Sequence, residues 1–182
     1  ALCLLWLLGE LAWASRIVDR LKASSELNRQ LADTDALTGL ANRRSFEREL
    51  AMRHTEGRRI TGLLIDVDRF KAINDTFGHA VGDAILTEVA RQLRSQEPSA
   101  FLSRIAGDAF FMIVDRGQTT GLEIAKRLCA AISQPVQLGS RRYDIAVSIG
   151  VASAKAGARQ VETLLQQASL ALLAAKKMGD GR

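Results

Sequence analysis

The sequence predicts a mixed α/β (α+β) fold in which helices flank a central, largely antiparallel sheet. An apolar, β-branched run over residues 60–66, bounded by charged residues, is typical of a buried central strand. Residues 101–114 and 136–152 each contain two strand-like segments separated by a short turn, which is the pattern of a β-hairpin. Apolar residues recur at helical spacing between these segments. The 182 residues, 47% of them hydrophobic, are enough for one well-buried domain and an additional segment.

Local signals place each element of the globular part in chain order. The polar segment 33–39 breaks a preceding helix, and Asn42 is a suitable N-cap for the next one, which Gly57 ends. Gly78 and Gly82 are expected to frame a loop, and Thr119 is expected to cap a later helix. The predicted elements are a helix at 43–55, a strand at 60–66, a short helical turn at 70–75, a helix at 81–93, strands at 101–105 and 110–114 joined by a turn at 106–109, a helix at 119–133, strands at 136–138 and 141–152 around residues 139–140, and a helix at 161–178.

Residues 1–32 precede this domain and carry two different patterns. The first 14 are almost wholly apolar, which is shorter than the about 20 residues of a bilayer-crossing helix. Because Trp13 is followed by Arg16 and Arg20, we interpret them as a truncated membrane-proximal segment at the inner, positive side. A buried packing helix that contains Glu10 is the alternative. Residues 15–32 lack Gly and Pro and predict a connector helix, which either pairs with a copy of itself or is a lone amphipathic linker. Residues 33–182 are then the cytoplasmic domain of an inner-membrane protein.

Charge and cysteine content exclude several classes of protein. A net charge of +5 suits ligands that carry phosphate, but it is too small to indicate a nucleic acid partner. The basic residues between Arg43 and Arg59 show no zinc-finger spacing. Cys3 and Cys129 lie among apolar neighbours, so they predict neither a metal site nor a disulfide framework.

Two carboxylates are candidates for holding a divalent cation. Phosphoryl and nucleotidyl transfer need clustered carboxylates, because bound cations neutralise the charge that develops on the phosphate. Asp66 ends the predicted central strand, and Asp108 lies on a hairpin turn that could face it. An acidic residue after an apolar strand is more commonly a simple strand terminator, so metal binding is indicated here only by the wider motif.

That wider motif resembles the GGDEF family, the cyclases that condense two GTP molecules into cyclic di-GMP. The resemblance covers about residues 33–179 and implies a nucleotidyl-cyclase or polymerase-palm-like fold. The matching residues near the first carboxylate are Asp66, Val67, Asp68, Phe70, Lys71, Asn74, Gly78, His79, Gly82 and Asp83, and the five-residue signature is Ala106-Gly107-Asp108-Ala109-Phe110.

The resemblance implies a metal site and, if the domain is active, a catalytic residue. Asp66, the main-chain carbonyl of Val67 and Asp108 would bind Mg²⁺ or Mn²⁺. Asp108 is also the residue linked to activation of the attacking 3′-hydroxyl. Asp68 is expected to be structural.

The resemblance also implies a nucleotide site. Asn74 and Asp83 would recognise the guanine edge, because an amide and a carboxylate together can pair with its acceptor and N–H groups. Lys71 would contact phosphate, and Lys176 keeps its place among the nucleotide-binding residues. His79 would either flank the nucleotide or hold its loop by a hydrogen bond.

Three substitutions, two in the signature and one near the end of the chain, depart from the family pattern of nucleotide-site residues. Ala106 replaces a glycine, a residue that permits positive φ and close approach of a phosphate to the backbone. Ala109 replaces a glutamate, and losing a positioned acid or base costs ~10²–10⁴ in rate. Asp180 replaces an arginine that faces phosphate.

These residues favour a degenerate GGDEF domain that binds GTP or a related guanine nucleotide with Mg²⁺ and acts as a regulatory module. The implied partners are a second copy of the chain and a C-terminal EAL domain in the full-length protein. The first alternative is an active diguanylate cyclase, and the second is a dimerisation scaffold that binds no nucleotide. Asn74→Ala would lower GTP affinity only in the nucleotide-binding cases, and Ala109→Glu would separate the first two.

Overall fold

The structure is a computed structural model that describes residues 33–55, 60–115, 117–154 and 160–179. The chain divides into two units, Ala1–Thr34 and Asp35–Arg182, and the second contains the helices and strands of the globular domain. The segment and connector helix predicted for residues 1–32, and the predictions made at Gly57 and Asp180, lie outside the described residues. Within those ranges, no helix combines the length and apolar character needed to cross a bilayer.

The predicted α/β fold is confirmed, with five helices and six strands in the described residues. The helices are α1 (Arg43–Thr55), α2 (Phe70–Phe77), α3 (His79–Gln96), α4 (Gln118–Ile132) and α5 (Gln160–Lys177), and the strands are β1 (Ile60–Val67), β2 (Phe101–Ala106), β3 (Ala109–Val114), β4 (Val136–Leu138), β5 (Arg141–Tyr143) and β6 (Val147–Ala154). Four strands form the main sheet in the order β2-β3-β1-β6, and each neighbouring pair is antiparallel. The small β4–β5 hairpin forms a second sheet.

The main sheet lies between two layers of helices, because alternate residues of a strand point to opposite faces. On one face, Leu63 and Ile65 of β1 join a buried cluster with residues of α3 and α4. On the other face, Leu64 joins a second cluster with residues of α1 and α5. Asp66 follows in the same alternation and is therefore on the α5 side of the sheet, near the end of its central strand.

Helix α1 begins as the sequence predicts. The side-chain oxygen of Asn42 accepts a hydrogen bond from the Ser45 amide at 3.1 Å, which satisfies one of the free N–H groups at the helix N-terminus. Phe46 then packs on Phe111 of β3, with ring centroids 4.7 Å apart. The cap and this aromatic contact together fix α1 on the sheet.

Two predicted element boundaries were wrong. Helix α4 begins at Gln118, and its N-cap residue is Gly117, whose backbone is extended. Thr119 therefore lies in the first turn of the helix and is not its cap. The strand predicted at 141–152 is two strands, β5 and β6. The predicted strand is divided because its two parts pair with different strands. β6 pairs with β1 over eight residues, from Ile60 opposite Ala154 to Val67 opposite Val147, whereas β5 pairs with β4 over three.

The loop predicted around Gly82 was also wrong, because α3 begins at His79 and Gly82 is a buried residue inside it. Gly78 alone provides the break between α2 and α3, with a φ of 84° that favours glycine. The expected apolar face of α3 is present, and Ile85, Val89 and Leu93 are buried.

Candidate metal and nucleotide site

Asp66 is the carboxylate on which the candidate site is centred. It lies on β1 directly opposite Ala109 of β3, and its side chain is 19% exposed. Burial raises the pKa of Asp66, and the nearby carboxylates of Asp108 and Asp68 raise it further, while the Lys176 ammonium opposes this effect. The residue that follows Asp66 is hydrogen-bonded to Asp108, so the two predicted metal ligands belong to neighbouring segments of the sheet.

Asp108 is held beside β1 through its main chain. Its carbonyl oxygen accepts a hydrogen bond from the Val67 amide at 3.3 Å, so the three residues predicted to bind metal are joined through the backbone. β2 ends at Ala106 and β3 begins at Ala109, which leaves Gly107 and Asp108 as a two-residue turn.

Arg104 anchors this turn, a role that was not predicted from the sequence. Its Nε donates to the Gly107 carbonyl at 2.8 Å, and its Nη1 donates to Asp35 at 3.0 and 3.2 Å. The sequence signal for this role was a charged residue within a strand, because a half-buried charge needs a partner. The turn is therefore tied to the segment that precedes α1.

The first substitution in the signature, Ala106, does not strain the backbone. The positive φ of the turn falls on Gly107, at 31°, and Arg69 is the one non-glycine residue with positive φ in the described ranges. Ala106 is exposed. Position 106 has no positive φ in this chain, and the methyl group of Ala106 adds bulk at the turn.

The residues present suit a hard divalent cation such as Mg²⁺ or Mn²⁺. Asp66 and Asp108 supply carboxylate oxygens, which are the donors that such cations prefer. Among the described residues, no group of three or more His, Cys, Asp or Glu side chains could hold a metal. Mg²⁺ is usually bound by one or two carboxylates together with phosphates and water. The donor set is thus that of a cation whose remaining ligands come with a nucleotide.

The predicted nucleotide-binding residues lie on two consecutive helices. Lys71 and Asn74 are on α2, and His79 and Asp83 are on α3. Lys71, His79 and Asp83 are exposed, whereas Asn74 is half-buried, and its Oδ1 is buried without a hydrogen-bond partner. Asp83 directly follows Gly82, whose Cα lies against the Asn74 side chain. The structure therefore brings Asn74 close to the α3 turn that carries Asp83.

Lys176 reaches this site from the other end of the chain. Its Nζ forms an ion pair with Asp66 Oδ1, so α5 contributes a cation directly to the predicted metal ligand. Asp68, by contrast, is buried, and its Oδ1 accepts a hydrogen bond from Ser148 Oγ at 2.7 Å, as expected of a structural residue.

Comparisons with known proteins agree with this geometry. The family model "Diguanylate cyclase, GGDEF domain" matches residues 32–182. The cyclic di-GMP phosphodiesterase PdeB of Shewanella oneidensis is 36% identical over 151 residues, which cover 81% of this chain and 18% of that protein. The diguanylate cyclase DgcP of Pseudomonas aeruginosa is 36% identical over 164 residues, which cover 86% and 24%. The chain thus spans less than a quarter of the length of either relative.

A solved structure extends the agreement to three dimensions. The coiled coil and GGDEF domain of DgcB from Caulobacter crescentus, in complex with c-di-GMP, superposes with a TM-score of 0.87 at 33% identity. The match covers 97% of each chain. This chain therefore belongs to the GGDEF domain family.

Proposed function

We propose that this domain binds GTP or a related guanine nucleotide with Mg²⁺ or Mn²⁺ and acts as a regulatory module in cyclic di-GMP signalling. One observation carries the proposal. Asp66 and Ala109 lie opposite each other on β1 and β3, so a retained carboxylate faces the position at which the family glutamate is absent. The chain keeps the side chains that we propose to bind metal and nucleotide, and it lacks the acidic side chain that the family carries at position 109.

The nucleotide is held by α2 and α3 in this proposal. Asn74 and Asp83 recognise the guanine edge, and Lys71 contacts phosphate. The exposure of Lys71, His79 and Asp83 supports this assignment, because a ligand can reach all three without unfolding either helix. His79 begins α3 and flanks the nucleotide.

The metal is held by Asp66, by the main-chain carbonyl of Val67 and by Asp108. When bound, the cation neutralises charge on the phosphates. In this proposal the Lys176 ammonium leaves Asp66 and pairs with a phosphate oxygen of the bound nucleotide. The side chain of Lys176 is 40% exposed, which leaves it free to make that move.

Cyclase turnover is weak or absent in this proposal because of position 109. A positioned acid or base contributes ~10²–10⁴ in rate, which is about 3–5 kcal/mol of barrier. An alanine cannot supply it. Asp108 remains to activate a 3′-hydroxyl, so any residual turnover depends on this residue.

The partners and location follow from the family and from the relatives. One of them is named a cyclic di-GMP phosphodiesterase, which supports a regulated EAL domain C-terminal to this one in the full-length protein. A homodimer and attachment at the cytoplasmic face of the inner membrane complete the proposal, and the apolar pattern of residues 1–14 supports the attachment.

The binding proposal is tested by titrating the protein with non-hydrolysable analogues of GTP and ATP in the presence of Mg²⁺. We expect binding of the GTP analogue with a clear preference over the ATP analogue, and loss of that preference in Asn74→Ala. Asp75→Ala, the exposed neighbour on α2, is the matched control. If neither analogue binds, the domain is an interaction scaffold instead. If Asn74→Ala binds both analogues as the natural chain does, Asn74 does not recognise the guanine edge.

An active diguanylate cyclase is the second candidate, because the chain keeps both Asp66 and Asp108, and the main chain of Asp108 is hydrogen-bonded to the residue after Asp66. GTP turnover at high protein concentration, with Mg²⁺ and separately with Mn²⁺, decides between the two. The products are separated by chromatography, and Asp108→Ala sets the background. Cyclic di-GMP above that background would make this domain a cyclase with a tolerant signature.

A further inference from the structure

Gly82 packs against the side chain of Asn74 more closely than any other residue type could. A Cβ built on Gly82 would lie 1.9 Å from Asn74 Oδ1, 3.0 Å from Asn74 Cγ and 3.2 Å from Phe70 Cζ. The first of these separations is far below any real contact. A side chain at position 82 therefore requires Asn74 to change its orientation.

The local backbone conformation does not require a glycine at position 82. Gly82 lies inside α3, in the first part of an 18-residue helix, where glycine is disfavoured relative to alanine. Its φ is not positive, so the backbone does not require glycine. What remains is the close approach of α2, which brings Asn74 over its Cα.

The Asn74 side chain is itself held in an unusual state. Its Oδ1 is buried without a hydrogen-bond partner, and a buried polar atom without a partner is rare in folded proteins. The main chain around it is ordered by a bond from the Gly78 amide to the Asn74 carbonyl at 2.9 Å. The amide group is thus fixed by packing on Gly82 and not by a hydrogen bond to its Oδ1.

We propose that Gly82 is a positioning residue for guanine recognition. By leaving space for the Asn74 amide, it holds this group in the orientation that recognises a 6-oxopurine together with Asp83, the next residue along α3. The inference rests on the proposed function for the identity of the ligand. The packing of Gly82 on Asn74 is independent of it.

A double-mutant cycle on nucleotide affinity tests the positioning role. We expect Gly82→Ala to lower affinity for the GTP analogue about tenfold or more and to reduce its preference over the ATP analogue. In the Asn74→Ala background, Gly82→Ala should have no further effect, since its target is gone. Gly117→Ala is the control, because its added methyl group meets nothing within 4 Å.

Thermal unfolding without nucleotide tests the packing separately. Gly82→Ala should lower the Tm of the natural chain. In the Asn74→Ala background the two nearest atoms are removed, and the better helix propensity of alanine should raise the Tm by about 2–4 °C. This reversal of sign is measurable even if Gly82→Ala alone does not fold, because the double variant is then expected to fold.

Each outcome decides something different. Unchanged GTP preference in Gly82→Ala, or an equal loss in both backgrounds, would overturn the positioning role and leave the proposed function intact. Destabilisation by Gly82→Ala in both backgrounds would overturn the packing argument. No guanine preference in the natural chain would overturn the proposed function and, with it, the recognition role of Gly82, whatever the Tm values show.

Discussion

The ammonium group of Lys176 is paired with the carboxylate of Asp66, two residues that are 110 positions apart in the chain. The pair joins the last turn of α5 to the central strand β1. Because Asp66 is also the predicted metal ligand, the lysine and a divalent cation compete for the same oxygen atoms. A nucleotide phosphate would give the lysine another partner, so binding of cation and nucleotide should support each other.

Replacing Lys176 by methionine should therefore have opposite effects on two ligands. Affinity for Mn²⁺ alone should rise about three- to fivefold, since a partly exposed ion pair is worth ~1 kcal/mol or less. Affinity for the GTP analogue with Mg²⁺ should fall about tenfold, because a charged hydrogen bond to phosphate is lost. Calorimetric titration measures both, and Lys177→Met is the matched control. A fall in both affinities would mean that Lys176 does not compete with the cation.

Restoring the family glutamate at position 109 should increase turnover. Directly opposite residues on antiparallel strands place their side chains on the same face, with Cβ atoms about 4.5–5.5 Å apart. Ala109→Glu therefore puts a carboxylate beside Asp66. We expect cyclic di-GMP formation to rise by about 10²-fold or more, with a loss of up to ~1 kcal/mol in stability from the neighbouring like charges.

Ala109→Gln is the control for this restoration, since it has nearly the same shape without the charge. It should remain at the level of the natural chain in a product assay with Mg²⁺. Equal activity of the two variants, or none in either, would show that the missing acid is not what limits this domain.

Much of the fold could be predicted because its signals are local. The apolar run of β1 and the short turn between two strand-like segments at Gly107 identify the central strand and its hairpin, and the cap at Asn42 identifies the start of α1. The predicted metal ligand Asp66 could be placed near a strand end for the same reason. These features depend on residues within a few positions of one another.

The remaining features could not be predicted because they depend on partners far away in the chain. The break between β5 and β6 is set by pairing with β1, about 80 residues earlier in the chain. The pairing of Lys176 with Asp66 depends on the docking of α5. Neither feature has a signal in the residues next to it in the sequence.

Asp35 should make stability depend on pH at the acid end. Thr38 donates its amide and its hydroxyl to Asp35 Oδ1 at 2.9 and 2.7 Å, and Arg104 donates to it as well. Burial alone would raise the pKa of Asp35, but these bonds outweigh it and hold the pKa below the ordinary value of 3.8. The ionised form is thus favoured in the folded state, and its contribution is present above pH 3.8 and lost as pH falls below it.

The corresponding experiment compares the natural chain with Asp35→Asn by urea unfolding from pH 7 to pH 3. At pH 7 the substitution should lower the free energy of unfolding by about 1.5 kcal/mol. That difference should shrink as the pH falls through the pKa of Asp35. Asp75→Asn, at an exposed position on α2, is the control. A difference that stays constant down to pH 3 would show that the charge of Asp35 is not the cause.

The close packing of α5 on β6 makes Gly150 sensitive to any added atom. A Cβ there would lie 2.1 Å from the Ala168 carbonyl oxygen and 2.4 Å from the Leu172 amide nitrogen. Both are backbone atoms, so neither can rotate away, and the helix as a whole must shift. Gly150→Ala should therefore lower the free energy of unfolding by about 3 kcal/mol, as expected for overpacking of a buried contact. Gly117→Ala, whose methyl group meets nothing within 4 Å, should change it far less.

The same shift should reach the candidate site, because Lys176 lies one helical turn after Leu172 on α5. Displacing α5 moves the ammonium group away from Asp66, so the folded fraction of Gly150→Ala should also bind the GTP analogue with Mg²⁺ more weakly. Urea unfolding and calorimetric titration on the same preparation separate the two effects. If the urea midpoint falls while affinity per folded molecule is unchanged, the position of α5 does not control the ligand site. If the midpoint itself is unchanged, α5 does not pack on Gly150 as closely as the backbone distances require.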